Sequence, residues 1–431
     1  MRCGSSVTAE PPHRSFPGQP PGETERFHSL DALRAFALLL GVVFHAAESF
    51  APGVETYWAI ADSSPSAALG IFRHACHSFR LEVFFLIAGF FAHLLYHRRG
   101  PRAFIRNRVG RILVPLVVGW GILYPVLVYL WLLGASVSGR LGQYGVPPDL
   151  TQTAPSLLTL GFFLTFQFVR QFDLTHLWFL HQLLVLYALW LLLRAGWHRV
   201  FDRDGRRLAW VDRQLAALCR TRWKVALLAL VTAPVLLLMD SWGVDTPKSS
   251  LVPHLPTTLL FGFQFGLGWL LHRQPRLLQD YARDWWLPLL LGVLLIWPTA
   301  AGSDWLRHWG VTPGRAPWLR AVHAPLYALM MWGFVLGFLG AFIRFRRTPN
   351  ARWRYVADAS YWVYLAHLPL IVWLQVQVGR WPLPWAVKYP LILAVAVPVL
   401  FLSYHYLVRP TFIGAQLNGR KYPRRPRGDR V

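Results

Sequence analysis

Two ionisable residues, Arg34 and His45, sit eleven positions apart inside one apolar run. A helix rises 1.5 Å and turns 100° per residue, so they stand roughly 16 Å apart on nearly the same face. A charged or titratable side chain in such a run is costly and normally faces a protein interior or a wet path. Histidine ordinarily titrates near 6.5, so its surroundings decide its charge at neutral pH. Glu48, three residues on, is within reach of the same face and can hold the imidazole in one tautomer. The plainer reading has Arg34 reaching for an aqueous interface and His45 hydrogen-bonded in the packing.

Further along, Arg80, Leu81 and Glu82 open a second apolar run, and Glu82 falls near the depth of His45. It either hydrogen-bonds a polyol substrate or pairs with Arg80. Arg108 and Arg111 lie three apart at the end of a basic stretch; two guanidinium forks at that spacing can grip a polyphosphate or anchor to lipid headgroups. His176 and Trp178 combine a polar group with a ring able to stack on a sugar face. His367 is a second histidine within an apolar run, either structural or part of the cavity. Cys3, Cys76 and Cys219 form neither a disulfide framework nor a redox motif, and the scattered histidines and acids show no metal-ligand spacing.

The elements that position these groups follow from composition. The 431 residues are 55% hydrophobic and 15% charged, with mean hydropathy +0.35. That profile points to an all-α polytopic integral membrane protein. Ten apolar runs approach spanning length, starting near Asp31, Arg80, Ile112, His176, Trp223, Pro256, Trp285, Ala321, Ala359 and Ala386. The shorter run from Leu157 to Val169 is left uncounted as re-entrant or interfacial. The net charge of +24 would suggest nucleic acid in a soluble protein, but the basic residues fall between the runs. With both termini cytoplasmic, 33 of the 44 basic residues lie on the inner side and ten on the outer, as the positive-inside tendency requires. The expected organisation is a disordered cytoplasmic tail over 1–27, a ten-helix membrane domain over 28–410 and a basic cytoplasmic tail over 411–431, with Ala135 to Thr175 as the longest outer segment.

On these residues the chain resembles the membrane acyltransferase-3 family from about Phe27 to Leu407. The resemblance rests on Arg34 and His45, on the Arg108 and Arg111 pair, on Phe84 to Gly89, on Leu177 to Leu180 and on Tyr364 to Pro369, in that order. Ala88 departs from the pattern, which usually has Ser before the Gly. Within the family the chain is most similar to the branch that succinylates periplasmic glucans. The resemblance implies acyl transfer from cytoplasmic acyl-coenzyme A, acetyl or succinyl, to a hydroxyl of an extracytoplasmic glycan, without a metal, in the bacterial inner membrane. It implies His45 as base, aided by Glu48 and Arg34; Arg108, Arg111 and Arg34 toward the donor; and Glu82, His176, Trp178 and His367 toward the acceptor. Two rivals remain: a transporter or flippase of a polyol, sugar or organic anion, and an inactive partner in a glycan-synthesis complex.

Overall fold

The computed structural model describes residues 27–196, 206–308, 310–346, 348–419 and 422. The expected tail over 1–27, apart from Phe27, and Cys3 therefore lie outside the described residues; of the expected tail over 411–431, residues 411–419 and 422 are described, with Phe412–Asn418 helical. Among those described the chain is helical, without strands. In chain order the helices are α1 (His28–Glu48), α2 (Ala67–Arg108), α3 (Val114–Val137), α4 (Pro155–Leu164), α5 (Gln167–Arg170), α6 (Trp178–Gly196), α7 (Arg206–Arg220) and α8 (Lys224–Leu236). They continue with α9 (Leu255–Arg273), α10 (Leu278–Arg283), α11 (Trp286–His308), α12 (Pro317–Phe345), α13 (Ala351–Val378), α14 (Trp385–Ser403) and α15 (Phe412–Asn418).

Seven helical stretches are long and apolar enough to cross a membrane: His28–Glu48, Ala67–Val137, Gln167–Gly196, Trp286–Ser303, Pro317–Phe345, Ala351–Val378 and Trp385–Val408. The second of these contains both α2 and α3. The expected ten runs are therefore not all matched by helices of spanning length and hydropathy. Helix α8 has only 13 residues, about 20 Å of rise against a hydrocarbon core of about 30 Å. The run from Leu157 to Val169 is broken at Phe166, whose φ of 55° separates α4 from α5.

Helices α1, α2, α9, α12 and α13 build the interior. Trp332, Tyr327, Phe85 and Phe265 are almost wholly buried there. The peripheral helices turn apolar residues outward, among them Val117, Ile122, Leu192, Leu230, Leu294 and Trp297. Water would disfavour such faces and hydrocarbon would not. Two glycines let α2 and α9 touch backbone to backbone. A Cβ at Gly89 would stand 1.9 Å from the Phe265 carbonyl oxygen, and one at Gly268 would stand 1.8 Å from that of Leu86. This is the small-residue contact on which helices in lipid rely.

Helix α2 starts thirteen residues before the expected Arg80. Ser66 caps it, its Oγ accepting from the Leu69 amide at 3.3 Å. The extra turns carry Arg73, His74 and His77, which the apolar-run criterion had left in a loop. Helix α2 breaks at Gly100, in the left-handed region at φ 72°, directly before Pro101. A π turn over Val109–Leu113 then joins it to α3.

Candidate active site

The face of α1 bearing Gly41, Phe44, His45 and Glu48 meets the face of α2 bearing Arg73, His77, Arg80 and Phe84, each set at steps of three or four residues. Between them, His176 and Trp178 at the start of α6, Tyr364 and His367 of α13, and the loops around Trp58, Tyr144 and Asp245 enclose a cavity of about 1000 Å³.

His45 is held from both sides. Its ring lies parallel to Trp58, with centroids 5.8 Å apart and 6° between planes, and 5.2 Å from the ring of His367. One buried amide sets this arrangement. Gln375 accepts from the Trp58 indole at 2.9 Å, and its Nε2 donates to the His45 and Ala46 carbonyls at 2.9 and 3.2 Å. The Nδ1 of His45 is buried without a hydrogen-bond partner.

His367 and His176 are oriented by the backbone of α13. The Nδ1 of His367 donates to the Tyr364 carbonyl at 2.6 Å, so the neutral ring carries its lone pair on Nε2, which has no partner. Pro369 has no amide hydrogen to give the Leu365 carbonyl one turn back. His176 supplies that bond, its Nε2 donating at 3.1 Å, while Tyr364 donates its hydroxyl to the His176 carbonyl at 2.8 Å.

Several expected neighbours are placed elsewhere. The Glu48 carboxylate does not contact the His45 ring; it accepts from Tyr57 at 3.2 Å and from Arg73 at 3.5 Å. The loop after α1 and the early start of α2 bring stronger donors to it than a neutral imidazole. Arg34 lies outside the cavity, 3.4 Å from Asp31 and over the Phe91 ring. Glu82 points away from the cavity, fully buried, both oxygens without a hydrogen bond, and it forms no ion pair with Arg80. Trp178 lines the cavity and stacks on Phe261 behind it.

Arg108 and Arg111 diverge. Arg108 donates to the Tyr187 hydroxyl at 3.1 Å and to Asn107 at 2.6 Å. Arg111 donates from Nε and Nη2 to the Leu417 carbonyl of α15 at 3.1 and 2.5 Å. The π turn between them changes the angular phase that an α-helix would give a pair three apart. Cys76 and Cys219 are free and buried. Asp240, Asp245 and His254 bring three possible ligand atoms within 4.8 Å of one another, but both carboxylate oxygens of Asp245 already accept from the Asp240 and Ser241 amides, at 2.7 and 2.9 Å.

The residues missed by sequence reasoning are Trp58, Arg73, His74, His77 and Gln375. The alternation of Arg73, His77, Arg80 and Phe84 at helical spacing was a legible signal, obscured by the low hydropathy of the segment. Gln375 is a polar amide inside an apolar run, which is itself a signal that such a residue faces the protein interior.

Residues 27–405 match the model of the acyltransferase-3 family, described as an acyltransferase domain. The chain belongs to the acyltransferase-3 family. The family model describes an acyltransferase domain, and here it lies on a polytopic helical membrane scaffold. Among curated relatives, it is 26% identical over 202 residues to "Glucans biosynthesis protein C" of Escherichia coli O6:K15:H31 (strain 536 / UPEC), covering 46% of this chain and 48% of that one. It is 33% identical over 97 residues to the protein of the same name in Escherichia coli O1:K1 / APEC, covering 22% and 24%. The chain thus spans about half the length of the first relative and about a quarter of the second. No solved structure matches it. The acyltransferase-3 match encloses His45, Trp58, His176, His367 and Gln375, so the whole histidine-lined cavity lies within the family region.

Proposed function

We propose that the protein is an O-acyltransferase of the bacterial inner membrane, moving an acyl group from cytoplasmic acyl-coenzyme A to a hydroxyl of an extracytoplasmic glycan. The observation that carries this reading is the unpartnered imidazole of His45, stacked on Trp58 and facing a second imidazole, in a cavity large enough for sugar rings. The relatives' name supports a glucan as acceptor. Counting α2 and α3 separately and adding α8 and α9 to the seven long stretches gives ten crossings, which agrees with the placement of the basic residues when both termini are cytoplasmic.

In this reading the acceptor stacks on the Trp58, Trp131 and Trp178 side of the cavity, with His176 and His367 beside it. A neutral imidazole of His45 takes the hydroxyl proton as the oxygen attacks the thioester carbonyl. The carbon–oxygen bond forms, the carbon–sulfur bond breaks, and the departing thiolate recovers the proton from the imidazolium. His367, held with its lone pair on Nε2, offers a second acceptor for the same proton. Direct attack is preferred over an acyl-enzyme, since the cavity face of α1 carries no Ser or Cys. Glu48 serves the site through Arg73 and Tyr57. On the cytoplasmic side, Arg108 and Arg111 with Arg34 and Arg99 form a cationic field that attracts the phosphates of coenzyme A.

The test compares cell-envelope glycans from the host strain carrying intact protein, a deletion or His45→Ala, read by mass spectrometry. An ester substituent that disappears equally in the deletion and in His45→Ala supports transfer and names the acyl group. Esterified glycan that persists with His45→Ala removes the base from the mechanism, and glycans unchanged in both strains favour transport.

A further inference from the structure

Three permanent cations line the cavity: Arg73, Arg80 and Lys248. Two are neutralised, Arg73 by Glu48 at 3.5 Å and Lys248 by Asp173 at 2.9 Å. Arg80 has no such partner among the described residues. It forms no ion pair and no hydrogen bond, and its Nε is buried and unsatisfied. Its guanidinium lies over the Phe44 ring, 4.4 Å from the centroid, and Nη1 crosses α1 at Gly41, where an added Cβ would stand 3.0 Å away. The Phe44 face supplies some cation–π attraction, and only Nε is sealed off: Arg80 is partly exposed, so its terminal nitrogens open onto the cavity. A guanidinium stays charged, and no carboxylate among the described residues touches this one, so its terminal donors are free for a negative oxygen that enters the cavity.

Its place says which anion. Gly41 and His45 are one helical turn apart on the cavity face of α1, so Arg80 lies roughly 6 Å inward of His45. A thioester carbonyl entering from the cytoplasmic side would have its carbon between the imidazole and the guanidinium.

We propose that Arg80 is the oxyanion donor of the transfer reaction. The proposal rests on the transferase reading above. As the hydroxyl oxygen bonds to the carbonyl carbon and its proton passes to His45, the carbonyl π pair moves onto oxygen, and Arg80 donates to that negative oxygen. When the carbonyl re-forms, the carbon–sulfur bond breaks and the thiolate takes the proton back. Arg34 cannot fill this role, since it lies outside the cavity beside Asp31. Glycine at position 41 acquires a reason: it leaves room for the guanidinium.

The experiment uses the full-length protein in proteoliposomes with acetyl- or succinyl-coenzyme A and a soluble glucan, following ester formation and free thiol. Arg80→Gln should lower kcat about 100- to 1000-fold with KM for the donor within about twofold, the pattern for loss of one oxyanion donor. Arg80→Lys should keep an intermediate rate, and added guanidinium ion should restore Arg80→Ala but not His45→Ala. Gly41→Ala adds one methyl to a helix and keeps the fold, so its lower kcat at unchanged Tm reads guanidinium position independently of Arg80 itself. Rates for Arg80→Gln and Gly41→Ala within about threefold of wild type would overturn the proposal. A defect confined to KM for the succinyl donor would also overturn it, assigning Arg80 to a permanent carboxylate instead. Wild-type protein that forms no ester overturns the transferase reading and this inference together, whereas active wild type with unimpaired variants overturns this inference alone.

Discussion

The imidazole of His45 and the indole of Trp58 lie ring on ring, 5.8 Å apart and 6° from parallel, although one belongs to α1 and the other to the loop that follows it. The contact joins the candidate base to an aromatic wall on which a sugar can stack. Gln375, 1% exposed on α13, holds both partners through the indole nitrogen and the His45 carbonyl.

Replacing Gln375 by Leu keeps the volume and removes all three hydrogen bonds, leaving the indole nitrogen unpaired and the His45 backbone less constrained. We expect kcat to fall about tenfold or more while the protein still folds, since a small displacement of a catalytic group carries a cost of that order. Steady-state kinetics alongside a thermal melt checks this; unchanged kcat would detach Gln375 from the positioning of His45.

His176→Phe should destabilise the protein by about 1–3 kcal/mol, because it strands the buried Leu365 carbonyl that Pro369 already leaves unserved. Adding Pro369→Ala should return much of the loss by restoring the helical amide hydrogen. A melt of both single variants and the double variant decides it, and simple additivity would show that the carbonyl is not the link.

Lys388 and Asp62 form an ion pair at 2.7 Å with side chains 0% and 1% exposed, and Lys388 also donates to the Trp381 carbonyl. The pair ties the loop after α1 to α14. Lys388→Met should cost about 3–5 kcal/mol by isolating a buried carboxylate, and Lys388→Met with Asp62→Leu should recover most of it. Denaturation of Lys388→Met, Asp62→Leu and the double variant beside wild type measures the coupling directly.

Arg108→Ala with Arg111→Ala should weaken coenzyme A binding to the detergent-solubilised protein by about tenfold or more, through loss of two charges from the cytoplasmic field. Isothermal titration reads it. Equal affinity in the double variant would remove these residues from donor recognition, consistent with their existing bonds to Tyr187, Asn107 and Leu417.

The helical, membrane-bound class of the protein was determined by its sequence, because long apolar runs with basic loops have few other solutions in water or lipid. His45 and His367 were visible for the same reason: a polar side chain in an apolar run is conspicuous. The 3.6-residue period also placed Arg34, His45 and Glu48 on one face. What it left undetermined is which face of the next helix they meet. Glu48 had His45 in reach along its own helix, yet the loop through Tyr57 and the early start of α2 bring Arg73 to it instead. Arg34 looked like the cation of the cavity; packing put Arg80 there, because α2 runs antiparallel to α1 and sets Arg80 beside Gly41. Contacts within a helix are fixed by local geometry, whereas contacts between helices depend on axial shift and rotation, which only the packing of the whole bundle decides.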